Sequence, residues 1–194
     1  MTLVLLDTNA YLRLAKRIRP MLGVKFGQKE YVLTILKITE DEVHRSSRLQ
    51  FLYPWFDHQE LSSERLAKQV RLSKVEKQEI DAARSILRQH VLENIDDFKT
   101  PPSPADCFIL AFGQTRPSIV VTDDLSMHKL AEDFEFKKSV WHGYELLHKM
   151  LSAKMIDKAL VEEIYDALEY NNDLPKTWRD AKHTTFKKIF GTAK

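Results

Sequence analysis

The sequence is poor in cysteine, glycine and proline. It contains one cysteine, five glycines and seven prolines among 194 residues. A single cysteine excludes an internal disulfide and any cysteine-based zinc cluster, and Cys107 lies in an apolar helix pattern that is typical of a small core residue. So few glycines and prolines leave little room for linkers or low-complexity tracts. We therefore expect an ordered globular chain.

The sequence also lacks an apolar run long enough to cross a membrane, and its first residues lack the basic and apolar pattern of a secretory signal. We expect a cytoplasmic protein with no membrane partner. Hydrophobic residues make up 43% and charged residues 30% of the chain, which is ordinary for a soluble globule. This length predicts a main domain over residues 1–152, with a helical insertion at about 49–98, and a helical extension over residues 153–194 packed on or near it.

The net charge of +2 hides an uneven distribution. The segment after Asp7 is basic, residues 157–173 are acidic, and the last twenty residues are basic again. Such runs are usually solvated helix faces. A basic rim beside a cluster of acids is also what a nuclease needs, because lysine and arginine hold phosphates that carboxylates alone would repel.

Three short aliphatic runs predict buried strands at Leu3–Leu6, Tyr31–Leu36 and Ile119–Val121. Helical patterns separate these runs, so the strands should be adjacent and parallel. The sequence therefore predicts an α/β fold with three layers, α/β/α, around a central parallel sheet. Lys138–His142 predicts a short edge strand.

Two regions fall outside this strand pattern. Leu49–Phe98 predicts two helices that form an insertion, with the aromatic stretch Tyr53–Phe56 as an apolar connection. Towards the end of the chain, helices are predicted at Gly143–Leu151, Asp157–Tyr170 and Pro175–Phe190. The last two helices either pack on the sheet or the insertion, or extend a basic surface for nucleic acid, and the sequence leaves both alternatives open.

Acidic residues recur where the predicted strands end or the helices begin. They are Asp7 after the first strand, Glu40–Glu42 after the second, Asp106 at the start of an apolar helix, and Asp123–Asp124 after the third. Each has a structural explanation as a helix cap; Thr39 with Glu42 fits a capping box. Ser103 with Asp106 fits another. Taken together, the acids indicate a site for a divalent cation, because crowded carboxylates repel one another and a bound cation relieves that repulsion.

These motifs resemble the PIN domain family. The resemblance covers about residues 3–142 and rests, in order, on Asp7-Thr8-Asn9, Glu42-Val43-His44-Arg45, Ser103-Pro104-Ala105-Asp106 and Thr122-Asp123-Asp124. PIN domains are metal-dependent ribonucleases with a Rossmann-like fold, and many are VapC-type toxins of toxin–antitoxin pairs. The resemblance implies that Mg²⁺ or Mn²⁺ is held by Asp7, Glu42, Asp106 and Asp124. It implies supporting positions at Asn9 and Thr122, with Asp123 as a base that orients the attacking water.

The resemblance further implies an endoribonuclease that hydrolyses RNA, and it leaves open whether the protein is a toxin with an antitoxin partner and whether it forms a homodimer. Arg13, Lys16 and Arg45 follow the acids on helices and are candidate phosphate-binding residues. Within Glu40–Glu42 the ligand is also open; Glu42 is favoured because an aliphatic residue and then an arginine follow it. The alternative is a catalytically inactive PIN-like scaffold that binds RNA or protein.

Three other classes of enzyme are disfavoured. A haloacid-dehalogenase phosphatase requires a second aspartate two residues after the first, where this chain has Asn9. A P-loop enzyme requires a glycine-rich loop followed by lysine and a hydroxyl residue, and the sequence has none. The seven histidines show no zinc-ligand spacing.

Overall fold

The computed structural model describes residues 1–190, with the side chains of residues 189 and 190 left out. Five strands form one sheet: β1 Thr2–Leu6, β2 Lys25–Phe26, β3 Tyr31–Thr34, β4 Ser118–Val121 and β5 Val140–Trp141. Their spatial order is β2-β3-β1-β4-β5, and all neighbours are parallel except β2 and β3. The three predicted strands therefore lie side by side and parallel, with β1 in the middle, as expected. The hairpin strand β2 was not predicted.

Helices cover both faces of this sheet. The α-helices of the described residues are α1 Thr8–Leu14, α2 Lys37–Arg45, α3 Ser47–Leu52, α4 Gln59–Lys68, α5 Lys74–Glu93, α6 Pro104–Thr115, α7 Leu125–Asp133, α8 Gly143–Ser152, α9 Lys158–Tyr170, α10 Lys176–Ala181 and α11 Thr185–Phe190. Short 3-10 turns lie at Ile95–Asp97 and Lys137–Ser139. None of these helices is long and apolar enough to cross a membrane.

The sheet separates two hydrophobic cores because successive side chains of a strand point to opposite faces. Val4 and Leu6 of β1 pack with α1, α8 and α9 on one face. Leu5 packs with α5, α6 and α7 on the other. Cys107 on α6 is fully buried in this second core, which confirms its interpretation as a core residue. The fold is thus the predicted three-layer α/β/α arrangement.

The insertion consists of three helices, α3, α4 and α5, where the sequence predicted two. Arg65 of α4 is buried and ties the insertion to the rest of the domain. Its Nε donates to Glu40 Oε1 of α2 at 2.8 Å, and its Nη1 donates to the Phe56 carbonyl at 2.7 Å. The guanidinium also lies 3.6 Å from the centre of the Phe56 ring. The insertion is therefore an integral part of the fold.

The C-terminal extension packs on the first core. Val161, Ile164 and Leu168 of α9 and Trp178 of α10 are buried there together with residues of β1. The predicted single helix Pro175–Phe190 is wrong, because α10 and α11 are separate helices. Lys194, part of the predicted basic end, lies outside the described residues.

Candidate functional site

Asp7 lies at the carboxyl end of β1 and is 5% exposed. Its Oδ1 accepts a hydrogen bond from the Ala10 N–H at 2.5 Å and caps α1, as the capping interpretation predicted. Burial raises the pKa of the Asp7 carboxyl to about 7, the nearby charge of Asp123 adds to this rise, and the Thr122 hydroxyl and Ala10 N–H oppose it. The capping bond therefore engages one oxygen of the Asp7 carboxyl, and burial destabilises the charged form of that carboxyl.

The predicted capping box at Thr39 is wrong. Helix α2 begins two residues earlier, at Lys37, and its N-cap is Leu36, which makes no side-chain capping bond. Thr39 consequently lies inside the first turn, where its buried hydroxyl has no hydrogen-bond partner among the described residues. Glu42 is therefore not engaged in capping and is available for another role.

Glu42 reaches the helix that follows Asp7. The Thr8 Oγ1 donates to Glu42 Oε2 at 2.5 Å, which links α1 to α2 directly beside the end of β1. Glu40 points elsewhere, since it pairs with Arg65 at 2.8 Å. Of the acids Glu40 and Glu42, Glu42 is thus the one that contacts the neighbour of Asp7.

Asp106 and Asp124 open two further helices near this edge. The capping box of α6 forms as predicted: the Ser103 N–H donates to Asp106 Oδ2 at 2.7 Å, and the Asp106 N–H donates to Ser103 Oγ at 3.1 Å. Asp124 caps α7 by accepting from the Ser126 N–H at 2.7 Å. Burial raises the pKa of Asp106, and the like charges of Asp124 and Glu42 raise it further. Asp106 is therefore close enough to Asp124 and to Glu42 for their charges to affect its pKa.

Asp123 is surrounded by donors. Its Oδ1 accepts from the Trp178 indole at 2.8 Å, from Thr177 Oγ1 at 3.3 Å and from the Gly143 N–H at 3.1 Å. Arg13 Nη1 lies 3.7 Å from Oδ2. Burial alone would raise the pKa of Asp123, but the surrounding donors and the arginine hold it below its usual value. The hydrogen bonds all engage Oδ1, whereas Oδ2 is buried and accepts none from the described residues. The general-base role of Asp123 stays a prediction.

Two stacked histidines lie behind Thr122, one of the predicted supporting residues. The Thr122 hydroxyl accepts from the Asp124 N–H at 3.1 Å, and its carbonyl lies 2.9 Å from His128 Nε2. The His128 and His142 rings stack with their centres 3.8 Å apart. Burial, followed by the charge of His142, lowers the pKa of His128 to about 4. His128 is therefore neutral near pH 7 and serves as packing and a donor.

The predicted phosphate-binding residues have different surroundings. Arg13 Nη2 lies 3.1 Å from Asp173 Oδ1, and its guanidinium is also close to Asp123, so its charge is compensated. Lys16 and Arg45 are exposed and form no ion pair with any described residue. Asn9 and Lys16 line the same cleft. Lys16 and Arg45 thus remain available to a bound anion, whereas Arg13 is engaged within the protein.

Several contributors to this region were not predicted from the sequence. Trp178 and Thr177 are separated from Asp123 by 55 and 54 positions along the chain. Gly143 matters sterically, since an added Cβ would lie 2.7 Å from the Trp178 ring. No local motif marks these residues, because their role depends on how the extension folds back on β4.

The four acids have the donor chemistry of a Mg²⁺ or Mn²⁺ site, since both ions prefer carboxylate oxygens and water. A capping bond does not exhaust a carboxylate, which has about four lone-pair sites. Within residues 1–190, however, no group of three or more His, Cys, Asp or Glu side chains is placed closely enough to hold a metal ion. The residues fit such an ion by type. No protein-family model, curated protein or solved structure matches this chain.

Proposed function

We propose that this chain is a metal-dependent endoribonuclease of the PIN type. The proposed ligands of Mg²⁺ or Mn²⁺ are Asp7, Glu42, Asp106 and Asp124. The observation that carries the proposal is the grouping of acids at the carboxyl end of the sheet. Asp7 ends the central strand, Asp124 follows its neighbour β4, and Thr8 hydrogen-bonds Glu42 beside them. In open α/β sheets this edge is where ligands bind.

The residues around the acids have defined roles in this proposal. When bound, a divalent cation lowers the pKa of a coordinated water and neutralises charge on the scissile phosphate. The chain orients the ligands: Ala10 N–H fixes Asp7, and the Thr8 hydroxyl fixes Glu42. Asp123 joins the extension to the site through Trp178 and so keeps the loop after β4 in place.

A second candidate is a PIN-like scaffold without activity. It is favoured by the capping bonds, which give Asp7, Asp106 and Asp124 structural roles, and by the lack of a formed metal group among the described residues. A scaffold would bind RNA or protein without hydrolysing either. A role as the toxin of a toxin–antitoxin pair is a further proposal from the resemblance, and growth arrest on expression that Asp7→Asn relieves would support it.

Cleavage and metal binding, measured separately, test the proposal. The full chain should cut a labelled RNA with Mg²⁺ or Mn²⁺ and leave it intact with EDTA, and calorimetry should detect binding of Mn²⁺ alone. Asp7→Asn and Asp106→Asn should abolish both signals. Asp166→Asn, at an exposed position of α9, is the matched control and should abolish neither. Metal-independent cleavage, or full cleavage by Asp7→Asn, would contradict the proposal; no cleavage and no Mn²⁺ binding would favour the scaffold.

A further inference from the structure

A cleft of about 780 Å³ opens beside Asn9. One wall is the basic side of α1 and the turn after it, the other is α3 with the segment that follows, and the loop after α9 closes the far side. Asn9 is two residues from Asp7, so the cleft begins next to the acids. It leads away from them along Asn9 and Arg13, which are four residues apart on one face of α1, and then along Lys16 in the turn after α1.

The cleft carries uncompensated positive charge on both walls. Lys16 on one wall and Arg48 on the other are exposed, and neither forms an ion pair with a described residue. Arg17 adds a third cation, which lies 3.7 Å from a largely exposed glutamate. Asp173, which lines the far side, compensates Arg13. Cations that face each other across a concave surface attract an anion that can contact both walls.

Aromatic and amide side chains in the lining favour a nucleic acid over other anions. Tyr53 is partly exposed in the cleft, and its ring is held edge-on to Trp55 with the centres 5.9 Å apart. Its hydroxyl donates to Asp173 at 2.8 Å, so the ring is fixed at both ends. Asn9 and Asn171 add side-chain amides. Aromatic rings stack on bases and amides hydrogen-bond to base edges, whereas an acidic peptide would need only the cations.

We propose that this cleft binds single-stranded RNA on one side of the bond that is cut. Lys16 and Arg48 hold a backbone phosphate, and Tyr53 stacks on an adjacent base. This inference rests on the proposed nuclease function, since it takes the acids beside Asn9 as the cutting site. It explains why α3 of the insertion lies opposite α1: the insertion supplies the second wall of the substrate cleft.

Binding of a short fluorescein-labelled RNA to the full chain, followed by anisotropy in EDTA, tests the cleft without requiring cleavage. The variant K16Q/R48Q removes both free cations of the cleft. The matched control is R71Q/K77Q, which also removes two positive charges, at exposed positions just before and on α5. Helix α5 packs in the second core and does not line the cleft. If two phosphate contacts are lost, the slope of log affinity against log salt should become shallower by about 1.4. The loss of affinity of K16Q/R48Q relative to the wild type should then be roughly 25 times larger at about 0.1 M than at about 1 M salt.

The aromatic contact has its own pair of variants. Tyr53→Phe keeps the ring and should bind RNA like the wild type, whereas Tyr53→Leu removes the stacking surface and should bind RNA more weakly. Neither should change the affinity for inorganic polyphosphate, which has no bases. Circular dichroism of each variant verifies that it is folded. Equal loss of RNA binding in Tyr53→Phe and Tyr53→Leu would overturn the stacking assignment.

Three outcomes would overturn the cleft itself. The first is unchanged RNA binding by K16Q/R48Q, and the second is equal weakening of RNA binding in K16Q/R48Q and R71Q/K77Q. The third is displacement of RNA by polyglutamate as effectively as by polyuridine, which would identify an acidic protein segment as the occupant. RNA binding is measured without metal and so does not depend on cleavage. If K16Q/R48Q weakens binding but the wild type does not cleave RNA with metal, the nuclease function is contradicted and RNA binding in the cleft is not. Metal-dependent cleavage with unchanged binding by K16Q/R48Q would contradict the cleft alone.

Discussion

Asp7→Asn should make the metal-free protein more stable at alkaline pH. Asparagine is as good an N-cap as aspartate, so the hydrogen bond from Ala10 that begins α1 can be kept. The substitution removes a carboxyl that is 5% exposed and whose pKa burial raises to about 7. Asparagine and aspartate have nearly the same size and shape, so the main difference is the loss of the titratable carboxyl.

The pH dependence follows from the direction of this shift. The folded state binds the Asp7 proton more tightly than the unfolded state, because the pKa rises from 3.8 to about 7 on folding. The stabilisation from protonated Asp7 is therefore complete below about pH 4 and is lost as the pH rises through about 7. At roughly 1.4 kcal/mol for each pKa unit, the loss reaches about 4 kcal/mol at alkaline pH. The asparagine variant does not titrate and avoids this loss.

Urea unfolding in EDTA at about pH 4 and about pH 8 measures the effect. The free energy of unfolding of Asp7→Asn, relative to that of the wild type, should be about 4 kcal/mol higher at about pH 8 than at about pH 4. Asp166→Asn, which changes an exposed acid, should show no such difference. Saturating Mg²⁺ should then stabilise the wild type but not Asp7→Asn, if Asp7 is a ligand. An equal stability difference at both pH values would refute the reasoning.

Three further predictions concern the surroundings of the site. Arg65→Ala should destabilise the fold by about 3–5 kcal/mol in urea, because it removes the buried guanidinium that pairs with the half-buried Glu40 and donates to the Phe56 carbonyl. Exposed Arg71→Ala should cost less than about 0.5 kcal/mol, and equal effects would contradict this prediction. Gly143→Ala should cost about 1–3 kcal/mol in thermal melts, since its Cβ would lie 2.7 Å from the Trp178 ring; an unchanged melting temperature would show that the ring can move. Burial lowers the pKa of His128 from 6.5 to about 4. Burying the neutral ring therefore contributes its full stability above about pH 6.5, and this contribution is lost as the pH falls through about 4. An NMR titration of His128 with a midpoint near 6.5 would contradict this prediction.

The sheet was predictable because its signal is local and unambiguous. The run Leu3–Leu6 is apolar at every position, which is typical of a strand that is covered by helices on both faces of the sheet. Helical patterns between the runs then required parallel pairing. The end of β3 was harder to place. The sequence continues with Ile35 and Leu36, which are equally apolar, but the chain turns there into α2 without a capping side chain.

The site was partly predictable for the same reason. Ser103 and Asp106 carry their capping signal within four residues, and the structure contains that box. Thr39 carried an equally good signal, but the helix had already begun. Long-range features have no such signal. A buried arginine such as Arg65 is rare, and two of the donors to Asp123, Thr177 and Trp178, lie 54 and 55 positions away along the chain.

The hydrogen bond between Trp178 and Asp123 has a consequence for biosynthesis. A ribosome makes the chain from its N-terminus, and the acids at positions 7, 42, 106 and 124 all emerge before α10. A nascent chain that ends before α10 lacks the indole and the Thr177 hydroxyl that hold Asp123. The environment of the loop after β4 is thus completed only once α10 has been made, so chains that stop earlier would carry the acids without these two donors to Asp123.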